Sequence, residues 1–120
     1  MAVLIIDDDA AILRATDSLL TRWGCVTLTA SSEQQALQRL SESGFSLDVV
    51  IADYRLRENK TGLQAVARIS EYLARPIAAI IITGDTAPER LREATSSGFR
   101  FMHKPIQPEL LQQMLGGIRS

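Results

Sequence analysis

Short apolar runs alternate with amphipathic segments along the whole of this chain, and that alternation constrains the fold more than any other feature. Val3 to Ile6 is a run of β-branched and leucine side chains, the composition of a strand buried on both faces. From Ala10 to Trp23 the apolar residues Ile12, Leu13, Leu19, Leu20 and Trp23 recur at roughly helical spacing, and Gly24 stands where a helix ends in a left-handed residue. The cycle then repeats. Cys25 to Ala30 is strand-like, Ser31 and Ser32 offer N-caps to a helix over Glu33 to Glu42, and Ser43-Gly44 closes it.

A third strand, Asp48 to Ala52, stops at Asp53, and after a polar loop Leu63, Val66, Ile69 and Leu73 mark a third helix. Pro76 breaks the chain before the very apolar strand Ile77 to Ile82. Thr86, Pro88 and Glu89 are similar to a capping box that opens a fourth helix; Phe99 to His103 reads as a fifth strand, and Pro108 opens a last helix through Ile118. Strict alternation of this kind predicts an α/β fold: a parallel sheet with right-handed crossovers that deposit helices on both faces. In such open sheets ligands bind outside the carboxyl ends of the strands, so the residues that follow each strand are the ones that matter.

With 120 residues, 46% of them hydrophobic, the chain supports one compact core, and a single domain over residues 1–120 is expected. A net charge of −1 with dispersed arginines gives no pull toward nucleic acid or an anionic membrane. The apolar runs are far too short to span a bilayer and the N-terminus lacks a signal-type core, so a cytoplasmic location is expected. One cysteine and one histidine exclude an internal disulfide and a structural zinc site. Cys25 and Trp23 read as packing residues, and His103 as an ordinary strand residue.

The residues at the strand ends are Asp7, Asp8 and Asp9 after the first strand, Asp53 after the third, Thr83 after the fourth and Lys104 after the fifth. Carboxylates that converge at one edge repel each other unless a cation sits among them, and hard oxygen donors point to Mg²⁺. Lys104 adds a compact positive charge and Thr83 a hydroxyl, which together with backbone N–H groups near Gly84 suit the oxygens of a phosphoryl group. Phosphoryl transfer needs in-line positioning and charge neutralisation, so a carboxylate beside Mg²⁺ and a lysine suffices without a general base. Asp53 is the best-placed nucleophile. Each residue alone has a plainer reading: acids favour helix N-termini, an aspartate starts turns, a threonine caps, a lysine is a solvated tip. Only their joint placement argues for a site.

Through IIDDD at residues 5 to 9, IADYRL at 51 to 56, ITGD at 82 to 85 and HKP at 103 to 105, the chain resembles the receiver domains of two-component signalling over its whole length. The resemblance implies a (βα)5 flavodoxin-like sheet in strand order 2-1-3-4-5. It makes Asp53 the phosphoacceptor, Asp8 a direct Mg²⁺ ligand, Asp7 a ligand through water and the Arg55 carbonyl a further contact, with Asp9 peripheral. It places Thr83 and Lys104 on the phosphoryl oxygens. Phe101 takes the place of an aromatic whose rotamer follows the threonine, so that phosphorylation biases the face made by the fourth helix, fifth strand and last helix. The implied partners are a histidine kinase or histidine phosphotransfer protein, with a homodimer through the same face. The implied activity is a switch that gains and loses its own phosphoryl group rather than a turnover enzyme.

Some positions depart from the family pattern. The loop from Arg55 to Gly62 lacks the proline common four residues after the phosphoacceptor and is one residue longer. Arg55 and Asp85 lie two residues beyond Asp53 and Thr83, positions that in receivers flank the attacking water, and their opposite charges are expected to pair across the site and tune phosphoryl lifetime. The stretches ADYRLRENKTG and ITGDTAPERL resemble receivers of hybrid sensor histidine kinases, which suggests a domain of such a kinase or a stand-alone receiver. With no output domain after Ser120, output is expected through partners or further sequence. Two alternatives compete: an interaction module that works without phosphorylation, which the complete acid, threonine and lysine set disfavours, and a phosphoaspartate hydrolase, disfavoured by Arg55 where a second acid would stand.

Overall fold

The computed structural model describes residues 1–56, 58–84 and 99–119. Its elements are β1 (Ala2–Ile6), α1 (Ala10–Arg22), β2 (Val26–Ala30), α2 (Glu33–Ser43), β3 (Val49–Asp53), α3 (Gly62–Leu73), β4 (Ala78–Thr83), β5 (Arg100–His103) and α4 (Pro108–Arg119), the helix expected last in the chain. The fourth helix expected from Thr86 lies outside the described residues, as do Asp85 and Arg57. All strand pairs are parallel and the sheet runs β2-β1-β3-β4-β5, the flavodoxin-like order implied by the resemblance.

The continuous apolar runs follow from burial on both sheet faces. In β1, Leu4 and Ile6 turn toward one core with Ala36 and Leu40 of α2 and Ala65, Val66 and Ile69 of α3. Val3 and Ile5 turn the other way, onto Leu20 of α1 and Leu111 and Leu115 of α4. Strands β3 and β4 divide their side chains in the same period-two manner. Each fully buried aliphatic side chain contributes about 1.5–3 kcal/mol, so the two cores supply the driving force against which the polar site must be set.

Local signals set the ends. Asp9 caps α1 by accepting from the amides of Ala11 and Ile12, Ser32 caps α2, and Thr61 with Gln64 forms a capping box on α3. The second strand begins at Val26 rather than Cys25, because Cys25 still belongs to the helix before it. Its N–H donates to Leu20 O and that of Gly24 to Thr21 O, the paired closure that a left-handed Gly24 (φ +84°) permits. None of the described helices is long and apolar enough to cross a membrane.

Candidate functional site

Parallel register alone gathers the predicted site residues on one rim. Ile6 pairs with Ala52, which sets Asp7 level with Asp53. Asp53 pairs with Ile82 and Thr83 with His103, so Thr83 and Lys104 follow at the next steps across the sheet. The rim is therefore a consequence of strands that end in step, not of any long-range loop.

Asp7, Asp8 and Asp53 each offer a carboxylate oxygen within 4.8 Å of the others. Asp7 is 3% exposed and Asp53 7%. Burial, opposed by the Asp9 N–H bond to its Oδ1 at 2.9 Å and reinforced by the Asp53 charge, pushes the Asp7 carboxyl up from 3.8 to about 6. At about 1.4 kcal/mol for each pK unit this costs about 3 kcal/mol at neutral pH, which one or two core side chains offset. A divalent cation among these oxygens removes that cost, and an all-oxygen set on a partly open rim suits an ion that keeps several waters. Asp9, the third of the run, is not in this group; exposed at the surface, it spends its side chain on the α1 cap.

From the other side of the rim, Lys104 Nζ donates to Asp53 Oδ2 at 3.0 Å. Burial lowers the affinity of this amine for its proton, but the hydrogen bond and charge of Asp53, with the charges of Asp7 and Asp8, outweigh it and hold the ammonium above the usual lysine value. The Lys104 backbone is anchored as well, its N–H donating to Thr83 O at 2.8 Å. Thr83 is itself buried at the end of β4. The Asp53 carboxylate, the oxygens of Asp7 and Asp8 and the Lys104 ammonium thus lie within one small rim.

The loop behind Asp53 is a miniature hairpin. Arg55 and Thr61 form an antiparallel bridge, Leu56 N–H donates to Lys60 O at 2.9 Å, and Glu58 and Asn59 at its tip are both left-handed (φ +63° and +59°). Gly62 then returns the chain to the site: its N–H donates to Tyr54 O at 2.8 Å, and a Cβ there would stand 2.4 Å from Asp53 O. Only glycine lets the start of α3 come so close to the phosphoacceptor candidate. A glycine directly after a capping threonine is the signal that could have found it.

Phe101 is half-buried on the α2/α3 side of β5 and meets the edge of His103, with ring centroids 5.9 Å apart. The Arg55 side chain is exposed, and Asp85, the partner expected for it, lies outside the described residues. An apolar groove of about 680 Å³ lies between α1 and the segment leading into α4, lined by Ile12, Leu19, Ile82, Pro105 and Ile106 and reaching Lys104. Glu33, at the start of α2, is a further residue that no motif singles out; it is 6% exposed and takes ion pairs from Lys60 and Arg68.

The family model described as response regulator receiver domain matches residues 3–116. Among solved structures, a response regulator receiver domain protein from Clostridium thermocellum is 29% identical, with a TM-score of 0.84 over 98% of this chain and 92% of that one. The chemotaxis protein CheY4 of Vibrio cholerae is 25% identical, with a TM-score of 0.84 over 98% and 97%. A CheX–CheY–BeF3–Mg²⁺ complex from Borrelia burgdorferi, 19% identical, shares the fold with a TM-score of 0.84 over 100% of this chain and 90% of that one. No curated protein sequence matches the chain.

Proposed function

The chain belongs to the response regulator receiver domain family, and from that premise we propose that it is a phosphoryl-accepting switch in which Asp53 takes the phosphoryl group of a phosphohistidine protein. The observation that carries this reading is the contact of Lys104 Nζ with Asp53 Oδ2 at 3.0 Å beside the carboxylates of Asp7 and Asp8. An Asp53 oxygen attacks phosphorus in line, the P–N bond of the donor breaks with its electron pair on the imidazole, and that ring takes up a proton. Lys104 and the Thr83 hydroxyl bind the phosphoryl oxygens as they gather charge, beside the buried side chains of Asp53 and Thr83.

Asp7, Asp8, Asp53 and the Arg55 carbonyl would hold Mg²⁺, which supplies neutralisation of the negative charge between carboxylate and phosphoryl group. The donor set fits: three carboxylate oxygens within 4.8 Å, one of them pushed up to about 6 by burial and its acidic neighbours. The Mg²⁺ and BeF3 of the Borrelia complex support the assignment on a shared fold. The apolar groove along α1 opens beside Lys104, so a helix of the donor seated there would bring its histidine to the rim. Thr83 drawn toward the phosphoryl group frees space for Phe101, which turns chemistry at the rim into a change on the β5 and α4 face read by a partner or a second copy. The receiver acts within a hybrid histidine kinase or beside one, in the cytoplasm.

The test is intact mass after incubation with acetyl phosphate and Mg²⁺. A single phosphoryl adduct is expected on the wild type and none on Asp53→Asn or in EDTA. No adduct under any condition would replace this reading with an interaction module that works without phosphorylation.

A further inference from the structure

We propose that Glu33 is a positioning residue for the phosphoacceptor rim, acting through Lys60 on the loop that follows Asp53. The inference rests on the metal-assisted reading above and extends it to a residue that touches neither Asp53 nor the acidic cluster.

Glu33 is the first residue of α2, where an acid is welcome for the helix end alone and needs no burial. Here it is buried, while Lys60 and Arg68 keep 45% and 60% of their side-chain surface in water. Its Oε2 lies 3.4 Å from Lys60 Nζ and 3.5 Å from Arg68 Nε. A buried carboxylate draws its cationic partners to it, so the packing of α2 commits Lys60 to one position.

That position matters because Lys60 sits inside the hairpin. Its carbonyl accepts from Leu56 N–H at 2.9 Å, its neighbour Thr61 pairs with Arg55 and caps α3, and Gly62 lies against the Asp53 backbone. The Arg55 carbonyl and the Asp53 carboxylate therefore lie at the base of a loop that Glu33 holds from outside. The loop has reason to open: Glu58 and Asn59 at its tip are left-handed, a conformation unfavourable to a glutamate. It also has room, since a cavity of about 200 Å³ lies between the start of α2 and the loop, lined by Ser32, Glu33, Leu56, Glu58 and Lys60. Lys60 closes the tie, and Arg68, on α3 and outside the loop, balances the charge.

Three variants separate this role from general support of the fold: Glu33→Gln, which keeps volume and removes charge, Lys60→Met, and Arg68→Met. Mg²⁺ affinity is measured by calorimetry and amide exchange at Leu56 by NMR, at a temperature where circular dichroism shows every variant folded. Glu33→Gln and Lys60→Met are expected to weaken Mg²⁺ binding by about fivefold, less than the roughly tenfold or more lost with a group bonded directly to a metal ligand. Both are also expected to speed exchange at Leu56 over that in the β3 core. Arg68→Met should leave both readouts within twofold of wild type. Wild-type Mg²⁺ affinity in Glu33→Gln, or acceleration spread evenly over all amides, would overturn the inference. Failure of the wild type itself to bind Mg²⁺ would instead overturn the metal-assisted reading.

Discussion

The two halves of the rim are built in different ways. The acidic half, from β1 and β3, is fixed by backbone: Asp9 N–H holds Asp7, Gly62 abuts Asp53, and a hairpin with a capping box secures the loop between them. The basic half, from β4 and β5, reaches the site with one flexible side chain, that of Lys104, still 35% exposed, on an anchored backbone. The cation proposed for the acidic half calls for fixed donors, because misplaced oxygens bind water as readily as metal; a clamp on a transferred group, the role proposed for Lys104, gains from reach. The acidic half accordingly carries the electrostatic penalty, and the basic half relieves it.

The largest effect that would break this comparison comes from Lys104→Met. Labelling by acetyl phosphate is expected to slow by about 10²–10³, some 2.7–4 kcal/mol of transition-state stabilisation, as for loss of other charge-stabilising donors. Mg²⁺ affinity should hold or tighten, since one competing cation has left the carboxylates. Equal losses of labelling and of metal binding would mean that the halves are not separable.

A second prediction concerns Asp7 in metal-free protein. Its carboxyl titrates at about 6 when folded against an ordinary 3.8, so the folded state keeps the proton across that window. The resulting stability is fully present below the unfolded value and is lost as pH rises through the folded one, by about 3 kcal/mol in all. Asp7→Asn should flatten this dependence, and in EDTA at pH 7 should exceed wild type by on the order of 2–3 kcal/mol. Saturating Mg²⁺ should restore the wild type's advantage. Urea denaturation of both proteins between pH 4 and 7.5 measures it; parallel curves would remove Asp7 as the seat of the penalty.

The smallest effect sharpens the comparison inside the acidic half. Glu58→Gly at the left-handed tip should raise stability by about 1 kcal/mol, because glycine takes that conformation without strain. A lower midpoint in thermal unfolding would show instead that the tip is held by contacts of the glutamate.

Much of this was legible in the residues. β1, β3 and β4 announce themselves because burial on both faces leaves no polar interruption, and the parallel register then carries Asp7, Asp53, Thr83 and Lys104 to one rim. Strand β2, at the sheet edge with Val26 61% exposed, has a weaker signature, and Cys25 was drawn into the closing turn of α1. Three consecutive aspartates look alike in sequence; which one caps a helix and which converge on Asp53 depends on the direction the chain takes after Ile6. The hairpin was hidden because glutamate has no preference for left-handed backbone, and Glu33 because its neighbours Lys60 and Arg68 are distant in sequence.

Gly62 also makes α3 a lever. With Asp53 O as its fulcrum, the helix runs from the rim to Tyr72, which is 51% exposed near the far end. Over the roughly 15 Å between those residues, a tilt of about 4° at the fulcrum displaces the tyrosine end by about 1 Å. A tilt of that size would carry an adjustment of the Asp53 backbone to a surface remote from the rim, and a single methyl group added at position 62 would meet the Asp53 carbonyl.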